Sequence, residues 1–239
     1  MLAGVSIDYV VRLEQGRGSV PSAQVCLALG RALQLSDDEV AHMLRLAGHP
    51  VRHDRVPRLI TQSIYRIVDR LDAQPVSVYD ATWQLLHWNR LFAGTFGDPM
   101  ALPVDARNLL VLQFEGLNER LRFTPEQRAE FETSLVADLR SASSRYPDDP
   151  DIGNLVRRLH QAPRFARLWE TGAVAVHTNG RKIVQHPEAG LLELDSDTLT
   201  VDGLGLHVVI YTAQPGSPAE ATLQFIAAIG AQEMRSQSE

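Results

Sequence analysis

The sequence has little cysteine and no long apolar run. Cys26 is the only cysteine among 239 residues, so no disulfide bond can form within the chain. No apolar stretch approaches the roughly 20 residues that a membrane-spanning helix requires. The first residues also lack the basic start and apolar core of a secretion signal. These absences predict a cytoplasmic protein that does not enter a membrane and whose cysteine stays reduced.

Recognisable catalytic and metal-binding patterns are also missing. The sequence contains no His-Glu-x-x-His motif, no Gly-x-Ser-x-Gly nucleophile motif and no glycine-rich phosphate loop. Cys26 has no neighbouring cysteine with which to bind zinc, and its place on an apolar stripe is typical of a packed thiol. We therefore predict a protein that is not an enzyme and that requires no metal ion or cofactor.

Positive charge is not in excess either. The formal net charge is −6 at pH 7, which argues against a protein that coats nucleic acid through its overall charge. A small DNA-reading module remains compatible with this balance, because such a module needs only a local basic face.

The first fifth of the chain predicts short helices and no strand. Ser6 is a suitable N-cap for a helix that stops at Gly16. A second helix begins at Ser22, where apolar residues start to recur at helical spacing. A third begins in a capping box at Ser36 and ends at Gly48.

The pattern changes between residues 49 and 57, where two prolines and three charges interrupt the periodicity and predict a linker. A helix then starts near Leu59 and has an apolar face. The residues of that face are Ile60, Ile64, Ile67, Val68 and Leu71. Two short strands flank a predicted turn at Asp80-Ala81-Thr82. Helices dominate from about residue 108 to 169, and one of them is capped by Thr124 with Gln127 at its third position.

Strands return in the last third of the chain. Asn179-Gly180 predicts the tight turn of a hairpin, two further strands follow, and Ser217 caps a final helix. This order of elements predicts an α+β fold: an all-helical head, followed by a domain with a mainly antiparallel sheet of about five strands and flanking helices.

The stretch GVSIDYVVRLEQG closely resembles the recognition half of a lambda-repressor-like (XRE-type) helix-turn-helix. In that motif, the helix that follows Gly-Val-Ser is capped by the serine and enters the major groove. The resemblance implies DNA contacts from Ser6, Ile7, Asp8, Val11, Arg12, Gln15 and Arg17. Arg12 is the strong guanine reader of this set. Periodicity alone leaves open a helix that is simply part of a helical bundle.

Helix-turn-helix domains of this kind normally have two helices before the turn, whereas here only Met1-Leu2-Ala3 precede Gly4. We expect a start site placed too far downstream or a shortened chain. We also expect residues 1–50, as a partial DNA-binding domain, to bind DNA poorly as they stand.

Most of the remaining chain, roughly residues 57–230, resembles the MmyB-like ligand-binding domain, a PAS-like unit that follows such a helix-turn-helix in many regulators. We assign this domain to residues 57–235. The segments that carry the resemblance are LLHWNRLFAGTFGD, RNLLVLQF, YPDDPDIGNLVRRL, FARLW, HPEAGLLEL and VVIYTAQPGSP, in this order. Two features depart from the family: a histidine is usual shortly after Leu-Trp, where this chain reads Glu170-Thr171-Gly172, and a tryptophan common in the helix around residues 125–135 is absent.

The resemblance implies a cavity between a curved antiparallel sheet and its helices, able to bind a small apolar or fatty-acid-like ligand. Such sites are mostly apolar with a few fixed polar groups. The candidate ligand-binding residues are Trp83, Trp88, Asn89, Phe92, Phe96, Arg107, Phe114, Phe165, Trp169 and His186. Each has a structural alternative. Aromatic rings can fill a core, and Asn89 can cap a helix. Arg107 can pair with Asp80, Asp105 or another acid, and His186 can orient a strand end.

These features predict a ligand-responsive DNA-binding transcription regulator. Its expected partners are double-stranded DNA and the small ligand, and the resemblance implies a homodimer. The alternative is a DNA-free sensor of small molecules or lipids, or a partner-binding protein, in which the head helices form an interface.

Overall fold

The computed structural model describes residues 6–35, 37–49, 55–172, 180–201 and 203–237. Contacts divide the chain into two units, Met1–His53 and Asp54–Glu239. Several predicted features lie outside the described residues: the turn at Gly4, the capping Ser36, most of the linker, and the hairpin strand that ends at Asn179.

The described part of the first unit consists of three helices: α1 (Ile7–Glu14), α2 (Ala23–Ala32) and α3 (Asp37–Leu46). The Ser6 hydroxyl oxygen accepts a hydrogen bond from the backbone N–H of Tyr9 at 3.2 Å, and Ser22 caps α2 in the same way. Gly16 adopts a φ of 66° just after α1, a conformation that favours glycine. The predicted caps and the predicted stop are confirmed.

Helices α2 and α3 pack closely against each other at Gly30. A Cβ atom at that position would lie 2.7 Å from Val40 Cγ2, which is closer than real contacts allow. Cys26 is fully buried nearby on α2, together with Ala41 and Leu44 of α3. The prediction of a packed cysteine is therefore confirmed.

Within its described residues, the second unit is built on one antiparallel sheet of six strands in the order β2-β1-β6-β5-β4-β3. The strands are β1 (Val76–Tyr79), β2 (Leu85–Trp88), β3 (Leu121–Arg122), β4 (Gly180–His186), β5 (Gly190–Val201) and β6 (Leu206–Thr212). Five of these strands are of ordinary length, in agreement with the predicted number of about five. The sixth, β3, has only two residues and forms one edge of the sheet. The fold class, α+β with an antiparallel sheet, is confirmed.

Alternation along the strands gives the sheet two apolar faces. One face carries Val76 and Val78 of β1, and α4 (Gln62–Arg70) covers it with Ile64 and Val68. Ile67 is 57% exposed, so the prediction that it shares the buried face of this helix is wrong. The helix begins at Gln62 rather than near Leu59, and the buried positions are four residues apart.

The remaining helices are associated mainly with the larger core on the opposite face. They are α5 (Arg90–Phe96), α6 (Leu109–Phe114), α7 (Pro125–Arg145), α8 (Pro150–Leu159), α9 (Pro163–Thr171) and α10 (Pro218–Gln237). Two short 3-10 helices, Pro99–Ala101 and Val104–Ala106, connect α5 to α6. The predicted capping box between Thr124 and Gln127 is present at the start of α7, and Ser217 caps α10 as predicted.

Candidate functional site

Helix α1 and the residues next to its two ends carry the side chains predicted to touch DNA. All seven, from Ser6 to Arg17, are exposed, and α1 has no fully buried side chain. Ile7 and Val11 are 78% and 41% exposed, although both are aliphatic. Val10 and Leu13, on the other side of the helix, are half-buried. The exposed face therefore combines apolar side chains with Asp8 and Arg12, a mixture that suits base edges and phosphates.

The candidate ligand-binding residues do not form one group. Phe92 and Phe96 of α5 lie beside Tyr211 of β6, with the Phe96 and Tyr211 ring centroids 4.5 Å apart. Phe165 of α9 lies between Phe114 and Trp169, at 5.3 and 5.5 Å. These contacts build two aromatic clusters in different parts of the core.

Trp83 belongs to a third group of contacts, at the β1–β2 turn. Its indole N–H donates to Asp138 Oδ2 at 3.0 Å, and its ring stacks on His207 with centroids 4.5 Å apart. Trp83 is fully buried and has a φ of 61°, which is rare for a bulky residue. Its contacts are typical of a structural core residue held in a strained turn.

Asn89 uses all of its hydrogen-bonding groups within the protein. Its Oδ1 accepts from the backbone N–H groups of Val76 and Phe92, at 3.0 and 2.9 Å. Its Nδ2 donates to the carbonyl oxygens of Leu71 and Gln74, at 2.7 and 2.6 Å. Asn89 thus caps α5 and ties it to the segment that leads into β1.

Arg107 does not pair with either acid that the sequence singled out. Its Nε donates to the carbonyl oxygen of Leu102 at 3.0 Å. Asp80 instead accepts from Arg58 at 3.2 Å, and Asp105 pairs with Arg158 at 3.1 Å. In the described structure, Arg107 therefore stabilises the loop between α5 and α6.

A cavity of about 880 Å³ lies between α5, α10 and the β4–β5 turn. Three of the candidate residues line it: Trp88, Asn89 and His186. Ala93 and Ile226 add apolar wall. The volume falls in the range of about 300–1,000 Å³ that is usual for small-molecule sites.

The wall of this cavity depends on a close approach between α5 and α10. A Cβ at Gly94 would lie 2.7 Å from Ile226 Cγ2. Phe225, the residue before Ile226 on α10, also borders the cavity and is 59% exposed. The rim carries charges of both signs, including Asp69, Glu188 and Arg90. An amphiphilic molecule would therefore find both apolar surface and polar groups here.

His186 has a defined tautomer at this wall. Its Nδ1 accepts from the backbone N–H groups of Glu188 and Ala189, at 3.2 and 3.0 Å. The proton must therefore be on Nε2, which donates to the carbonyl oxygen of Gly94 at 3.1 Å. Arg120 donates to the same carbonyl. His186 orients the end of β4, and it also borders the cavity.

Comparison with known families identifies both parts of the chain. Residues 60–225 match the MmyB-like transcription regulator ligand binding domain, and residues 1–43 match a helix-turn-helix domain. The chain belongs to the family of MmyB-like transcription regulators. A comparison with curated proteins found no significant match. The predicted resemblances are thus confirmed.

The two matched domains of this MmyB-like regulator are a helix-turn-helix domain and a ligand-binding domain. A helix-turn-helix joined to a ligand-binding domain makes it a ligand-responsive DNA-binding transcription regulator. None of the helices in the described part of the chain combines the length and apolarity that crossing a bilayer requires.

The ligand-binding domain also contains a polar cluster that sequence reasoning missed. Ser77 and Tyr79 of β1 and Tyr211 of β6 bring their hydroxyl groups together in the core. Ser77 Oγ is buried and makes no hydrogen bond of good geometry to any residue that the structure describes. Burial raises the pKa of Tyr79 to about 12 and the pKa of Tyr211 well above its usual value, so both phenols stay neutral. The alternation in Val-Ser-Val-Tyr placed the two β1 residues on one face but did not show their partner.

Proposed function

We propose that an effector bound in the cavity between α5, α10 and the β4–β5 turn controls DNA binding by α1. The effector is a small apolar or fatty-acid-like molecule, bound by residues 57–235, and residues 1–50 form the DNA-binding domain. The observation that carries this proposal is the cavity itself, whose wall contains Trp88 and His186 beside the apolar side chains of Ala93 and Ile226.

The regulator acts as a homodimer in this proposal. Two α1 helices would then read half-sites about one helical turn apart. The effector changes the balance between dimer arrangements only to the extent that it binds one of them more tightly.

Ala93→Trp tests the cavity because the indole would occupy its apolar wall. Using dodecanoate as the probe, we expect this substitution to lower the number of molecules bound per chain by one, measured by native mass spectrometry and by isothermal titration. The control is Ala221→Trp, on an exposed part of α10, which should bind as the wild type does. Unchanged stoichiometry in a folded Ala93→Trp protein would rule out this cavity as the effector site.

Arg12→Ala tests the DNA-contacting face. We expect binding to a double-stranded DNA site selected by the wild-type protein from random sequences to weaken about five- to tenfold, because one charge-assisted contact is lost. If Arg12 contacts a phosphate, the slope of log affinity against log salt should also fall by about 0.9. Gel-shift titrations at several salt concentrations measure both quantities.

The matched control for Arg12 is Arg31→Ala, which removes an exposed arginine from α2. Its DNA affinity should stay near that of the wild type. If the two variants had equal affinities for DNA, Arg12 would not be a DNA-contacting residue. Dodecanoate binding together with no salt-dependent DNA binding in any protein would instead favour the DNA-free sensor.

A further inference from the structure

A second cleft lies on the surface between α7 and α9, away from the cavity at α5 and α10. Its volume is about 640 Å³. The apolar residues that line it are Phe123, Pro125, Ala129 and Leu168. Three arginines, Arg128, Arg164 and Arg167, complete the lining together with Glu132 and Thr171.

The charges of this cleft are unbalanced. Glu132 is the one carboxylate among the described residues that line it. It already accepts a hydrogen bond from Gln113 Nε2 at 2.9 Å and pairs with Arg164 at 3.3 Å. Arg128 and Arg167 are exposed, and neither forms an ion pair with any residue that the structure describes. Two guanidinium groups are therefore available to a ligand at the rim of an apolar surface.

A further cation lies behind the cleft. The Lys182 ammonium group sits 5.5 Å from the ring centroid of Phe123, which lines the cleft, and 4.2 Å from that of Phe131. The two rings stack on each other at 5.3 Å. No carboxylate among the described residues pairs with Lys182, and burial lowers its pKa to about 8. Because this pKa is still above 7, the lysine keeps its positive charge at neutral pH, and that charge adds to those of the arginines.

We propose that the cleft between α7 and α9 is a second binding site, for an aliphatic carboxylate. The alkyl chain would lie on Phe123, Ala129 and Leu168, and the carboxylate would be held by Arg128 and Arg167. Guanidinium groups suit this role because they present parallel N–H donors that match a carboxylate. The apolar floor distinguishes the ligand from a small inorganic anion, which would leave that surface unused.

The experiment compares three probes on the full chain: dodecanoate, 1-dodecanol and inorganic phosphate. We expect one dodecanoate to remain bound to Ala93→Trp, and we expect that molecule to be lost when Arg128→Gln and Arg167→Gln are added. In the otherwise wild-type chain, the double substitution should weaken this site about tenfold or more. The alcohol should bind it at least tenfold more weakly than dodecanoate, and phosphate should not compete.

One further variant is a control and another tests Lys182. Arg157→Gln removes an exposed arginine of α8 that does not line the cleft, and it should bind dodecanoate normally. Lys182→Met keeps an apolar side chain against the aromatic rings of Phe123 and Phe131. It should weaken dodecanoate binding about threefold, because the positive charge of this lysine is separated from the ligand by the Phe123 ring.

The outcomes separate this proposal from the proposed function. Loss of all dodecanoate in Ala93→Trp alone leaves the α5–α10 cavity as the sole site and overturns the second one. Unchanged binding in the double arginine variant, or competition by phosphate at equal concentration, also overturns it. Loss of one molecule in the arginine variant but none in Ala93→Trp would support the cleft and reject the cavity.

Discussion

Replacing Asn89 with alanine should destabilise the second unit by about 3–5 kcal/mol. The side chain joins two backbone donors to two backbone acceptors, at distances of 2.6–3.0 Å. Alanine leaves these four groups to find other partners in a buried setting, where each unsatisfied group costs about 1–3 kcal/mol. It also removes the N-cap of α5, which contributes about 1 kcal/mol. The expected total is smaller than the sum because water and backbone shifts satisfy some of the groups.

Urea denaturation followed by tryptophan fluorescence measures this effect. The three tryptophans, Trp83, Trp88 and Trp169, all belong to the second unit, so the signal reports on that unit. Asn89→Ser keeps an oxygen that can cap α5 but cannot reach the other partners. Its free energy of unfolding should therefore lie between those of the wild type and Asn89→Ala.

Asn154→Ala is the matched control, since this asparagine is exposed on α8 and should cost less than about 0.5 kcal/mol. The per-molecule affinity of folded Asn89→Ser for dodecanoate should equal that of the wild type. A loss of affinity without a loss of stability would show that Asn89 contacts the ligand and that its structural role is minor.

Local signals predicted local structure well in this chain. Ser6 and Gly16 mark both ends of α1, and Thr124 with Gln127 marks the start of α7. Each of these features depends on contacts within a few residues, so the information lies in the sequence around it. The family resemblance supplied the order of the domains in the same way, from strings of neighbouring residues.

The candidate ligand site was harder to predict because its geometry is set by contacts between distant segments. Sequence showed that aromatic residues are concentrated, but not that Phe92 and Phe165 belong to different clusters. Lys182 faces inward because it pairs with the buried Leu194 across β4 and β5. That register depends on residues twelve positions apart, and no local pattern distinguishes Lys182 from its outward-facing neighbour Arg181.

The turn between β1 and β2 depends both on local sequence signals and on contacts between distant segments. The sequence predicted a turn at Asp80-Ala81-Thr82, and Asp80 Oδ1 accepts from the backbone N–H groups of Thr82 and Gln84, at 2.8 and 3.0 Å. It also accepts from the Thr82 hydroxyl at 2.6 Å. The positive φ of Trp83 was not predictable, since it is maintained by these bonds and by the packing of the indole in the core.

Asp80→Ala should therefore lower the free energy of unfolding by about 3–5 kcal/mol. Asp80 is fully buried, and the substitution removes three hydrogen bonds within the turn and the ion pair with Arg58. Without these bonds, the strained backbone of Trp83, which costs about 1–3 kcal/mol, is no longer held in place. We expect the near-ultraviolet circular dichroism of the tryptophans to change along with stability.

Asp80→Asn separates the turn from the charge. The amide keeps an oxygen for the N–H groups of Thr82 and Gln84 but loses the ion pair with Arg58, whose side chain is partly exposed. We expect the free energy of unfolding to fall by a smaller amount, about 1–2 kcal/mol, and the near-ultraviolet circular dichroism to stay as in the wild type. Asp105→Ala, which removes an exposed carboxylate from Arg158, is the control and should cost about 0.5 kcal/mol or less. If Asp80→Asn proved as damaging as Asp80→Ala, the charge rather than the turn geometry would hold Trp83 in place.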